Sequence, residues 1–384
     1  MSLDTRKIYE LTAQTLSKEL EKQKIVMKRH FILVIIIFFF FTELSYASQN
    51  EYYDLINQAE ETFVLKKDQS CFAIYDKAFK VKGAKYFAKD AYVAAEIAYF
   101  LKLNAQVKKY LKLSFELGMP ITALQSGKIF AAIQRTSLYP EILSIYKTCK
   151  KPEFDIETRE KVYNFCFSSD SIKFLLRPNL PDQQQAYYRV ENDFRSYLFD
   201  EFLTKGIFPN ENLIGIASDS IYADFIKRNN KVDQWELAAK QFFGDSEPEV
   251  MENDFVSKFS FSVLLHSQCS FPKFQPYLLM AVENGYMHPS EYALLKETSV
   301  LWNQDSKNPW DDCTLQIAPA YFNIFGFTPT SKHQTYVDPK NTELILIVEQ
   351  NRAEIHMQKL SVDNEKLKLQ KELGIRFFFG FLRL

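Results

Sequence analysis

One spacing restricts the folds open to this chain more than any other feature. Four positions recur three times at intervals of 36 and then 35 residues. The first copy is Ala59, Cys71, Tyr75 and Ala78, and the second is Ala95, Val107, Leu111 and Ser114. The third is Phe130, Ile142, Tyr146 and Cys149. The last column is small in every copy, and the column before it is large. Helical periodicity runs through the whole stretch from Glu51 to Lys151. A unit of this length is one helical hairpin, which cannot bury its apolar face alone, so the hairpins must stack. Only 10 glycines occur in 384 residues, which disfavours a turn-rich β fold. No segment alternates strictly enough for a half-buried strand. The nearest, "TELILIVEQ", follows Asp338-Pro339, which reads as an N-cap with proline at the first helical position. The expected fold class is all-α.

The repeat resembles the tetratricopeptide repeat. In that family a small residue of the first helix packs on a small-x3-large-x2-small face of the second. "KKDQSCFAIYDKAFK" and "LNAQVKKYLKLSFELG" read as second helices. Pro120 and Pro152 fall just beyond the second and third units, where a helix should stop. The usual Trp and Gly of the first helix are absent. The resemblance implies a superhelix whose concave face binds a protein or peptide partner.

The helical pattern breaks at Arg177-Pro178-Asn179-Leu180-Pro181-Asp182, the best boundary in the chain. The region from about Asp182 to Leu360 resembles a bacterial helical domain family of uncharacterised function. Asp182, Gln183 and Arg189 stand for its opening motif, and Gly206, Pro209 and Gly215 for its turn. His266 in "VLLHSQCSFPKFQ" stands for the end of its His helix, and Arg352 in "VEQNRAEIHM" for its late helix. Where the family has Tyr-Gly-Thr-Gln, this chain reads "LQIAPAYFN". The resemblance implies a helical domain and no assigned activity.

Phe31–Phe41 is a run of eleven apolar residues preceded by Met27-Lys28-Arg29-His30 and followed by Ser45-Tyr46-Ala47. A basic start, a short apolar core and small residues at the cut describe a secretory signal peptide. At about 1.5 Å per residue the run spans roughly 16 Å, short of a ~30 Å hydrocarbon core. We expect cleavage between Ala47 and Ser48 and a periplasmic or secreted protein. Met27 is read as the start, with residues 1–26 an upstream extension. A membrane anchor is the alternative: residues 1–30 carry 7 Lys+Arg against 4 Asp+Glu. From Ser48 on, 40 Lys+Arg face 43 Asp+Glu, and the whole chain balances at −1. That near-neutral sum argues against a nucleic-acid partner. The tail "GIRFFFGFLRL" is apolar for a terminus and is expected to dock on the domain or on a membrane surface.

The chemistry on offer is sparse. The cysteines, Cys71, Cys149, Cys166, Cys269 and Cys313, are odd in number and contain no CxxC, so neither a disulfide framework nor a zinc site is indicated. Cys71 and Cys149 are read as small buried hydrophobes. No HExxH, GxSxG, GxGxxG or GxxxxGK[ST] occurs beyond Ser48, and no cofactor or metal is expected. The acidic loop at Asp245–Asp254 lacks the alternating calcium pattern. His266, Asp182 and Arg189 are the weak catalytic candidates. Arg352 and Gln183 are the weak binding candidates, and Arg352 suits pairing with a carboxylate such as Asp182.

The organisation expected is therefore an extension (1–26), a signal peptide (27–47), repeats (48–151), a helix and linker (152–181), a helical domain (182–375) and an apolar tail (376–384). The leading expectation for function is partner binding by an exported repeat protein. The alternatives are an enzyme, such as a hydrolase, with its site around His266, and a membrane-anchored scaffold. A binding module tolerates His266→Ala, and an enzyme does not.

Overall fold

The computed structural model describes residues 48–126, 129–130, 132–175, 181–216, 219–231, 263–264, 271–302 and 342–378. The protein is all-α, with no strand among the described residues. Helix α1 covers residues 48–66. It is followed by α2 (Cys71–Ala78), α3 (Ala88–Phe100), α4 (Asn104–Glu116), the single turn α5 (Ala123–Ser126) and α6 (Leu138–Thr148). Then come α7 (Ile156–Leu175), α8 (Pro181–Glu201), the short α9 (Glu211–Ile214) and α10 (Asp219–Arg228). The described C-terminal helices are α11 (Phe271–Glu283), α12 (Pro289–Trp302), α13 (Thr342–Glu354) and α14 (Leu360–Leu373). Residues 1–47, the signal segment among them, lie outside the described residues.

The recurring positions form the core. Ala59, Cys71, Tyr75, Ala78, Ala95, Val107, Leu111, Ser114, Phe130 and Ile142 are all completely buried. Ser114 is tolerated there because its hydroxyl donates to the Ala88 carbonyl at 3.0 Å, which removes the cost of a buried unpaired hydroxyl. The smallness of the last column is what lets α4 lie close to α3. Cys149 departs from the expectation, being only half-buried.

The third unit also departs from the first two. Its leading part is the four-residue α5 and a 3₁₀ turn at Ile133–Arg135 rather than a long helix. Gly118 and Pro120 end α4 abruptly. Phe130 takes the place of the small residue, and its ring meets Tyr92 edge-on at 5.4 Å and Tyr99 at 5.3 Å.

Gln49–Leu384 forms one compact unit. A single buried cluster runs from Tyr52 through Phe194 and Leu278 to Phe377, and so is continuous across the Arg177–Asp182 break. The turn after α8 is pinned to α11: Asn284 donates to the Gly206 carbonyl at 3.0 Å. Gly206 has φ +65, and a Cβ there would meet Met280 Sδ at 2.6 Å. "TELILIVEQ" lies within α13 and is helical. The C-terminal segment returns to the start of the molecule, with Ile375 and Phe377 buried. Residues 379–384 lie outside the described residues.

Candidate functional site

The N-terminus of α3 is the starting point, because its local sequence does not cap it. Phe87 occupies the N-cap and offers no side-chain acceptor. The first-turn N–H groups still need partners. Two distant residues supply them. Tyr52 on α1 accepts the Phe87 N–H at 3.1 Å and donates to Asp90 at 2.7 Å. Glu211 accepts the Ala88 N–H at 2.5 Å. Both carboxylates also sit at the positive end of α3. Burial dominates their protonation all the same: Asp90 rises to about 6 and Glu211 to about 8, with Lys89 opposing both shifts.

Beside this end lies a cavity of about 70 Å³, where α1 and α3 meet the start of α12 and the segment from His356 to Phe378. Its lining includes Glu60, Asp90, His288, His356, Asp363 and Lys366. Lys366 is buried and binds Glu60 at 2.7 Å and Asp363 at 2.8 Å. Arg352, also buried, pairs with Asp363 and donates from Nε to the Gln358 carbonyl at 2.5 Å. Two cations and two carboxylates thus neutralise one another. Burial alone would lower the Lys366 pKa; Asp363 and Glu60 outweigh it and hold the ammonium above its ordinary value. Lys366 therefore stays charged and is no amine nucleophile.

His288 presents a serine–histidine pair, with Ser290 Oγ 2.7 Å from Nδ1. Its surroundings identify the pair as a helix cap. Nδ1 accepts the Ser290 N–H at 3.3 Å, and Glu291 reaches back to the His288 N–H at 3.1 Å. With Pro289 at the first helical position this is a capping box in which histidine replaces Ser or Thr. The ring is held edge-on by Phe87 at 5.3 Å and by Tyr53 at 5.9 Å. Burial first, then Lys89 and Lys366, push the imidazole well below its ordinary pKa, so it is neutral. His356, by contrast, is half-exposed, adopts φ +56 and bonds Asp54 at 2.9 Å.

A second polar junction fastens the chain end. Arg376 donates from its backbone N–H to Glu96 at 2.6 Å and from Nε to the same carboxylate at 3.3 Å. Its guanidinium also reaches Tyr92 Oη and the Ala123 carbonyl at 3.1 Å. Burial raises Glu96 to about 6, with Arg376 opposing the shift. Two side-chain amides tie α1 to the chain after α13: Asn57 donates to the His356 carbonyl at 2.8 Å, and Gln358 donates to the Asn57 carbonyl at 2.6 Å.

No family model, no curated protein and no solved structure matches the chain.

Of the residues singled out from the sequence, His266, Cys269, Cys313 and the acidic loop at 245–254 lie outside the described residues. Asp182 and Gln183 fall in the first turn of α8, with side chains outside the description. Arg189 is exposed on the same helix. Arg352 reaches the cavity network, where it pairs with Asp363. Cys71 and Cys166 are buried, and burial pushes the Cys71 thiol up to about 12. Among the described residues no three His, Cys, Asp or Glu side chains are placed to hold a metal ion. No helix among them is long and apolar enough to cross a membrane.

The cluster around Glu60, Lys366 and Asp363 was missed because its charges read as solvent-facing residues of amphipathic helices. The available signal was "HPSE" at His288–Glu291, a cap motif that marks the start of α12 beside the cavity.

Proposed function

We propose that this is an exported helical-repeat protein that binds a protein or peptide partner in the cell envelope or outside the cell. In this reading α1–α2 and α3–α4 are tetratricopeptide-like hairpins, and the first helices α1 and α3 carry the recognition face. The observation that supports it is the way α1 and α3 hold the chain's own residues 355–378. That segment, a helix followed by an extended end, is gripped at Glu60 through Lys366 and at Glu96 through Arg376. Phe377 settles 6.3 Å from the Phe63 ring. Buried acidic anchors flanked by aromatic rings are what a face needs to select a peptide carrying a basic residue next to an aromatic one. A partner of that chemistry competes with the C-terminal segment for the same helices. The basic and apolar pattern at Met27–Ala47 supports export.

The test uses Arg376→Ala with Phe377→Ala, which loosens the segment's end, and a fluorescent peptide spanning residues 355–378. Saturable anisotropy binding to the folded variant, exceeding that to the parent, is expected. A variant with unchanged circular dichroism that captures no peptide sinks the recognition-face reading. Export is tested separately by intact mass and N-terminal sequence of protein from the native host. A start at Ser48 is expected, and a retained Phe31–Phe41 segment defeats cleavage.

A further inference from the structure

The near-neutral balance of the chain conceals a separation of charge. Residues 77–151 contain 14 Lys+Arg and only 4 Asp+Glu, a balance of +10 in a chain whose total is −1. That balance already subtracts four acids. Asp90 and Glu96 are buried inside the fold. Glu116 and Glu141 neutralise Lys112 at 3.7 Å and Lys108 at 2.8 Å, and Asp76, just before this stretch, neutralises Lys109.

The structure gathers much of this charge on one layer. Helix α2 lies against α4: Tyr110 donates to the Phe72 carbonyl at 3.2 Å, and Lys109 pairs with Asp76. Helix α4 lies against α6: Lys108 bonds Glu141, and the Phe115 and Tyr146 rings meet edge-on at 4.9 Å. Each helix turns its repeat positions inward, with Tyr75, Leu111 and Ile142 fully buried. Exposed here are Lys77, Lys109, Lys112 and Lys147 on the helices and Lys80 and Lys150 just beyond the ends of α2 and α6. Lys109 and Lys112 are ion-paired with Asp76 and Glu116, so Lys77, Lys80, Lys147 and Lys150 carry the uncompensated charge of the layer.

We infer that the α2–α4–α6 layer is an electrostatic docking surface for an anionic lipid bilayer. Three features select that partner. The charge is carried by 13 lysines and one arginine. Lysine is a hydrated point charge without the planar fork that reads individual phosphates, and it suits a diffuse field. Lysine is also depleted in protein–protein interfaces, which rely on apolar anchors. Among the described residues the exposed large apolar side chains are Leu65, Ile156 and Leu346, none of them in this segment. Finally, the charge is spread over three neighbouring helices, where mobile lipid headgroups can gather under it.

The experiment is flotation of the full chain, purified from its host, with phosphatidylglycerol–phosphatidylcholine vesicles and with pure phosphatidylcholine vesicles. The parent is compared with Lys77→Gln/Lys80→Gln/Lys147→Gln and with Lys205→Gln/Lys227→Gln/Lys368→Gln. The second triple removes the same charge from exposed positions elsewhere. All three proteins share one N-terminus, so any contribution of the apolar leader cancels. Binding to acidic vesicles that fades with added salt is expected. The first triple should weaken it about a hundredfold, the summed attraction of three lysines to an acidic leaflet, and the second should leave it unchanged. Equal binding to neutral vesicles, equal loss in both triples, or no binding to acidic vesicles overturns the inference. Capture by polyglutamate without capture by acidic vesicles also overturns it, in favour of an acidic protein.

Discussion

Two helix ends in the repeat half solve the same problem with different residues. After α3, the Leu103 N–H bonds the Ala98 carbonyl at 2.9 Å and the Lys102 N–H bonds that of Tyr99 at 3.0 Å. After α4, Met119 bonds Ser114 at 2.9 Å and Gly118 bonds Phe115 at 3.1 Å. Both are Schellman caps, which need a left-handed residue after the helix. Gly118 adopts φ +104 at no steric cost, whereas Lys102 is held at φ +59 with its Cβ crowded. Lys102→Gly is therefore expected to stabilise the protein by about 1 kcal/mol in urea unfolding. An unchanged or lowered midpoint would show that the lysine stem makes up the strain. Gly118→Ala has the opposite expectation. Its Cβ would fall 2.6 Å from the Phe154 ring, besides the unfavourable φ, so a loss of roughly 2 kcal/mol should appear in the same assay. Of these two caps, the stop after α4 was foreshadowed by Pro120; Lys102 gave no local sign that it would turn left-handed.

At the scale of elements, the paired ions decide how α14 seats against α1. Lys366, Glu60, Asp363 and Arg352 are all buried, so removing one partner strands a charge away from water. Lys366→Ala should cost about 3–5 kcal/mol. Replacing the pair together, as Lys366→Met with Glu60→Leu, should restore most of that, because no uncompensated charge remains. Chemical denaturation of the three variants checks this: additive losses in the double variant would mean that the pair is not the source. The helices themselves were legible, because apolar residues recur at helical spacing and caps such as Asp338-Pro339 precede "TELILIVEQ". Which charges of those helices go inside was not. "LSVDNEKLKLQKEL" offers Asp363, Lys366 and Lys368 as equivalent polar residues, yet Lys366 is buried and Lys368 exposed. The choice belongs to the partner helix, whose Glu60 sits just over 300 residues earlier in the chain, a reach that periodicity cannot see.

Across the whole molecule, Glu211 ties the two sides of the proline break together by capping α3 from 123 residues away. That contact makes stability depend on pH. Burial raises the folded Glu211 to about 8 from an ordinary 4.5, against the pull of Lys89 and the Ala88 N–H. Between those values the folded protein keeps a proton that the unfolded chain gives up. The contribution is therefore complete below 4.5 and is lost as pH rises through about 8, on the order of 4 kcal/mol. Asp90 and Glu96, each raised to about 6, act with the same sign over a narrower window. Glu211→Gln keeps an oxygen to accept the Ala88 N–H and removes the titration. Its urea midpoint should match the parent near the ordinary glutamate pKa and exceed it increasingly toward the alkaline end, flattening most of the decline. Parent stability that climbs with pH across this window, or a variant that follows the parent throughout, would show that Glu211 is ionised in the folded state. The Ala88 cap would then be a charge–dipole contact rather than a neutral hydrogen bond, with Lys89 supplying the compensating charge.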